Sequence, residues 1–155
     1  MSAHKNTILL PTDFSDAAAK ALVWAARFVI HHDDRVVLLH TLEDVHEDDG
    51  AALTPEATQL YQGAERKLNE WAKELRRQLH GKHAFIETKV GFGAAGVATV
   101  KAAGKIAPDM VLMAVHGQTG VASVEMGPVA SYVCAYLKSC PVVLVRSAMA
   151  EEIAA

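Results

Sequence analysis

Five short apolar runs recur along the chain, and longer stretches with helical periodicity lie between them. Thr7-Ile8-Leu9-Leu10-Pro11 is too short for a helix and reads as a buried strand. Arg35 to Leu42 is almost continuously apolar, as parallel strands covered on both faces are. Ala84 to Val90 alternates at its end, the mark of a less buried strand. Asp109 to Val115 and Val142 to Arg146 complete the set.

The stretches between them carry helix punctuation. Ser15 is a good N-cap and Asp16 suits the first turn, so Ala17 to Ile30 reads as a helix. Ala18, Ala21, Leu22, Ala25, Phe28 and Val29 make its apolar face. Thr54-Pro55 opens the longest helix, with Thr as cap and Pro at the first helical position. Ala57, Leu60, Tyr61, Ala64, Leu68, Trp71, Ala72, Leu75 and Leu79 repeat at helical spacing along it, which makes its aromatics core residues. His80-Gly81 ends it. Gly91 to Gly96 leads into a third helix that reaches about Ile106 and stops before Pro108. Gly127 to Lys138 is the fourth helix.

Strand and helix therefore alternate from end to end, which implies a parallel sheet with helices on both faces. In the strand order 3-2-1-4-5 the chain reverses direction between strands one and four. Ligands bind at the carboxyl ends of strands at such a switch point. Pro11-Thr12-Asp13 would there lie beside Ala114-Val115-His116-Gly117. Strand, glycine turn and the helix start at Gly127 follow one another, an arrangement able to cradle an anion such as phosphate.

Composition narrows the rest. The 155 residues make one domain, with its core at about 7–146 and a small polar tail at 147–155. At 51% hydrophobic and 21% charged the chain can bury a real core. With a net charge of −3 and no basic run, neither nucleic acid nor a membrane surface is an expected partner. No apolar stretch approaches the ~20 residues of a membrane span. Met1 to Asn6 is polar and lacks a signal-peptide core, so the cytoplasm is the expected location. Cys134 and Cys140 match no metal or redox spacing, and the acidic stretch from Glu43 to Gly50 matches no calcium loop. No metal site is expected, and no nucleophile–base set or carboxylate pair marks a catalytic site.

These residues resemble the universal stress protein family. The resemblance runs from Ile8 to Arg146. It rests on Leu10-Pro11-Thr12-Asp13-Phe14-Ser15, on Leu38-Leu39-His40, on Asp109 to Met113 with His116-Gly117, and on Cys140 to Val145. It implies a single-domain, Rossmann-like sheet of the adenine nucleotide alpha hydrolase type. It also implies a homodimer paired through the last strand. That agrees with the apolar edge Val142-Val143-Leu144-Val145, which left bare would be an aggregation hazard.

Some members of the family bind ATP through the pattern G-x2-G-x9-G-(S/T). Its positions fall here on Ala114, Gly117, Gly127 and Pro128, with the nine-residue spacing from Gln118 to Met126 intact. By the same resemblance Asp13 contacts the adenosine end and the backbone of Thr41 meets the adenine. Pro11, Thr12, His116 and Val129 complete the candidate site. Ala114 is small enough for close approach unless the backbone needs φ > 0. Pro128 lacks both a hydroxyl and an N–H, and bonds to charged groups are each worth roughly 1.5–3 kcal/mol. The N–H groups of Gly127 and Val129, and those of the turn around Gly117, are left to grip phosphate.

Three readings follow: a stress-response module holding ATP or another adenine nucleotide weakly, with Mg2+ only if ATP is bound; a member acting through protein contacts alone; and a slow ATPase relying on His116, Ser123 or Glu125. Single motifs have plainer readings too. Gly91-x-Gly93-x-x-Gly96 matches a dinucleotide fingerprint, yet lacks the acidic residue some 20 positions on and suits a flexible turn. Asp13 serves equally as a turn residue before Ser15, and His116 as an exposed turn.

Overall fold

The computed structural model describes residues 5–46, 52–116 and 126–147. The strands are β1 (Thr7–Pro11), β2 (Asp34–Leu42), β3 (Ala84–Phe92), β4 (Met110–Ala114) and β5 (Val142–Val145). The helices are α1 (Asp16–Phe28), α2 (Pro55–Gln78), α3 (Ala95–Ile106) and α4 (Pro128–Tyr136). All described strand pairs are parallel, in the order β3-β2-β1-β4-β5.

The apolar runs of β1, β2, β4 and β5 are continuous because each of these strands supplies two cores. Ile8, Leu10, Val36, Leu38 and Leu112 pack with α1 and α2 on one face. Leu9, Val37, Leu39, Val111 and Met113 pack with α3 and α4 on the other. A strand's side chains alternate between faces, so covering both leaves no polar position in the run. Asp109 registers the strand starts: its carboxylate accepts from the Thr7 N–H at 2.7 Å, and its own N–H donates to the Thr7 carbonyl at 2.8 Å.

The caps form as the sequence implies. The Ser15 side chain accepts from the Ala18 N–H, and that of Thr54 from the Ala57 N–H with Pro55 behind it. His80 and Gly81 both take positive φ and end the run of α2. Three expectations are corrected. Phe28 leaves the apolar face of α1 and is 55% exposed, resting on Trp24 at 5.5 Å between ring centres, while Ala26 and Ile30 are buried. Leu60 is 51% exposed rather than core. β3 does not stop at Val90, because it pairs with β2 residue for residue as far as Leu42 and Phe92.

That extension accounts for the glycine-rich stretch. Gly91 lies within β3, where an added Cβ would come 3.3 Å from the Thr41 hydroxyl. Gly93 turns at φ 88°, and its N–H donates to the carbonyls of Leu42 and Val45. Gly96 lets α3 approach α4, since a Cβ there would meet Tyr132 at 2.9 Å. Each glycine thus has a packing or turning role.

Candidate functional site

A cavity of about 530 Å³ opens where β1, β2 and β4 end. This is the reversal point of the sheet, and small-molecule sites commonly lie there. Pro11, Thr12, Asp13, Thr41, Ala114, His116, Gly127 and Val129 all line it, so the fold brings together every described member of the expected nucleotide set. Gly117, Ser123 and Glu125 lie outside the described residues.

One wall is the turn from Thr12 to Ser15. The Thr12 N–H extends the β1–β2 ladder by donating to the Leu39 carbonyl at 2.8 Å. The Thr12 hydroxyl accepts from the Phe14 N–H at 3.0 Å. The Asp13 carboxylate accepts from the Ser15 N–H, also at 3.0 Å. Asp13 is therefore both the turn residue and a cavity residue, and the two readings of it do not compete. Phe14 sits at φ 63°, a left-handed conformation that costs a side-chain-bearing residue ~1–2 kcal/mol. Its ring contacts offset that cost: Phe14 stacks on His40 at 4.2 Å and meets Trp71 edge-on at 5.5 Å. The Lys67 ammonium lies 5.4 Å from the Phe14 ring centre.

His40 lies behind the turn. Its Nδ1 is 2.9 Å from the Thr12 carbonyl oxygen. A carbonyl only accepts, so Nδ1 carries the hydrogen and donates. Burial pushes the His40 pKa below its usual 6.5; the Thr12 bond and the charges of Asp13 and Glu43 oppose the shift, and Lys67 adds to it. The neutral ring is the resident form at pH 7. His40 also lines the cavity, yet sequence reasoning gave it no functional role. The available signal was a titratable side chain inside an otherwise apolar strand.

The opposite wall is the start of α4. Pro128 occupies the first helical position, and no side chain caps this end. The N–H of Gly127 donates to the Val115 carbonyl at 2.8 Å, so it is not free for phosphate as the sequence suggested. The N–H groups of Val129 and Ala130, in the first helical turn, have no carbonyl partner within the helix. Both residues line the cavity, at the positive end of the helix dipole. Ala114 is not among the described residues with positive φ, so an alanine there costs nothing in backbone conformation. Leu60, Ala95, Thr99 and Met113 supply apolar or small wall surface that the sequence did not assign to the site.

A five-stranded parallel sheet in this order, with a cavity at its switch point, defines a Rossmann-like α/β fold. The family is then direct: the profile of the Universal stress protein family matches residues 5–146, and the chain belongs to that family. A universal stress protein of Methanocaldococcus jannaschii is 28% identical over 142 residues, covering 83% of this chain and 88% of that one. Universal stress protein UspA from Lactobacillus plantarum shares the fold at a TM-score of 0.70 and 21% identity, with coverage of 94% and 100%. The universal stress protein of Archaeoglobus fulgidus in complex with dAMP aligns at a TM-score of 0.64 and 17% identity, with coverage of 92% and 98%. No helix among the described residues is long and apolar enough to cross a membrane.

The His40 shift has a consequence in pH. The folded pKa is lowered, so the stabilising contribution of neutral His40 is full above pH 6.5 and is lost as pH falls from there through the folded value. In His40→Asn, which does not titrate, the loss of denaturant stability between pH 7.5 and pH 5 is expected to be smaller than in the wild type. Equal losses, measured by urea melts, would contradict the assignment.

Proposed function

We propose that the protein is a cytosolic, homodimeric stress-response module that holds an adenine nucleotide and does not turn it over. The observation that carries this reading is the convergence of Asp13, Thr41 and the uncapped start of α4 on one cavity. The Archaeoglobus fulgidus relative, described in complex with dAMP, supports the adenine part. Asp13 takes the adenosine end and the backbone of Thr41 the base. Val129 and Ala130 offer N–H groups to the phosphates, and His116 stands at the rim.

The nucleoside end is intact, while the phosphate end has lost the donors of Pro128 and Gly127. ATP therefore binds weakly, and the phosphates add little. Mg2+ would enter only with ATP. Among the described residues no cluster of three or more His, Cys, Asp or Glu side chains could hold a metal ion. A Mg2+ ion would rest on phosphate oxygens and water. A hydrolytic role finds only His116 among its described candidates. The missing donors favour a second reading, in which nucleotide has been given up and the protein acts through protein contacts alone.

Denaturing the purified protein, assaying released nucleotide and titrating ATP by calorimetry to millimolar concentration separates these readings. Heat or released adenine nucleotide supports the first; neither leaves the second. Pro128→Ser restores two donors, so ATP should bind it about tenfold or more tightly than the wild type. No gain would refute the account of this position.

The homodimer forms by antiparallel pairing of β5, an edge strand of the sheet. Val142, Val143 and Leu144 are half-buried in the protomer, whereas Val145 is 2% exposed and already belongs to its core. Charges at the interface must therefore be placed at Val143 and Leu144. Sedimentation velocity is expected to find a dimer for the wild type and a monomer for Val143→Lys with Leu144→Lys. A wild-type monomer would refute the pairing.

A further inference from the structure

We propose that His40 is the positioning residue of the nucleoside end, acting through the Thr12–Ser15 turn to set Asp13 against the cavity. The inference rests on the nucleotide reading for its ligand, but its mechanical half stands on the free protein.

The turn from Thr12 to Ser15 is held by its own short bonds: Phe14 N–H to the Thr12 hydroxyl and Ser15 N–H to the Asp13 carboxylate. Both are local, and neither ties the turn to the sheet beyond it. Two contacts with β2 tie the turn to the sheet. One is the Thr12 N–H bond to Leu39, which continues the ladder whatever side chains are present. The other is the His40 side chain, whose Nδ1–H holds the Thr12 carbonyl while its ring lies against Phe14 at 4.2 Å and 29°. Phe14 is the left-handed residue of the turn, so a ring that fixes Phe14 fixes the step from Asp13 to Ser15. One side chain thus grips the residue before Asp13 through its carbonyl and the residue after it through its ring.

His40 comes from β2, next to Thr41, whose backbone is assigned to the base. The same strand end thereby supplies the base contact and orients the carboxylate for the adenosine end. The charged groups around His40 are Asp13 on the turn, Glu43 beyond β2 and Lys67 on α2. None replaces its bond to Thr12.

Two variants separate the halves of the grip. His40→Phe keeps a ring for Phe14 and removes the donor. His40→Asn keeps a donor near the position of Nδ1 and removes the ring. Amide hydrogen exchange of the free protein, under native conditions, reads the turn directly. In His40→Phe the Phe14 and Ser15 amides should exchange up to about tenfold faster, the scale of one lost neutral hydrogen bond, with Leu9 and Leu112 unchanged. His40→Asn should recover most of the protection. Adenosine, AMP and ATP should then weaken by a common factor in His40→Phe, since the lesion lies away from the phosphates. In an Asp13→Asn background the His40→Phe change should weaken adenosine no further.

Unchanged exchange at Phe14 and Ser15 overturns the proposal. So does a rise shared equally by Leu9 and Leu112, which would make His40 a general stabiliser. Full additivity with Asp13→Asn also overturns it. If wild-type protein binds none of the three ligands, the nucleotide reading falls, while the exchange result still decides whether His40 positions the turn.

Discussion

The pairing of β1 with strands on both its sides is the constraint from which the rest follows. β1 hydrogen-bonds to β2 through Thr7–Pro11 and to β4 through Ile8 and Leu9. Its neighbours depart in opposite directions, because the chain first builds outward to β3 and then crosses back to add β4 and β5. The helices before the reversal, α1 and α2, therefore cover one face and those after it, α3 and α4, the other, and none covers the point of reversal. What remains there is a crevice floored by strand ends, and every group assigned to the site is delivered by a strand end or a helix start. The side chains of the strands supply little chemistry; their apolar runs fix where backbone and turns arrive.

The two walls of that crevice have fared differently. On the β1 side, four consecutive residues from Thr12 to Ser15 bond to one another or to the neighbouring strand, and a left-handed Phe14 is held by three partners. Such a conformation persists only where its surroundings over-determine it. On the α4 side, Pro128 starts the helix well and removes a donor, and the Gly127 N–H serves the backbone of Val115. The fold is satisfied at both walls. Only the first brings polar side chains, Thr12 and Asp13, to the cavity in a fixed turn.

Much of this was legible in the residues. Ser15 and Thr54-Pro55 announced their helices because capping is local chemistry, independent of tertiary contacts. The buried strands were legible because two-sided burial removes polar residues from the run, and the strand order followed from the alternation and the family resemblance together. Phe28 and Leu60 were misplaced because a helical face does not reveal where its neighbours end: Phe28 lies on the last turn of α1, and Leu60 faces the open cavity. Gly91 was read as a turn because glycine usually marks one, whereas here β2 is long enough to pair with it. The Gly127 bond was invisible because backbone-to-backbone partners across a loop leave no trace in residue type. His40 was visible as an anomaly but not as a contact, since its partner is a carbonyl.

The central claim is that the nucleoside end of an adenine nucleotide sits between Asp13 and Thr41, with its phosphates towards α4. Titrating adenosine and then AMP into isotope-labelled protein, and following backbone amide shifts, tests it most directly. The account predicts that both ligands shift Asp13, Phe14, Thr41 and Leu42, and that only AMP shifts Val129 and Ala130. Shifts confined to other surfaces, such as the groove near Lys82 and Glu87 at the amino end of the sheet, would contradict it.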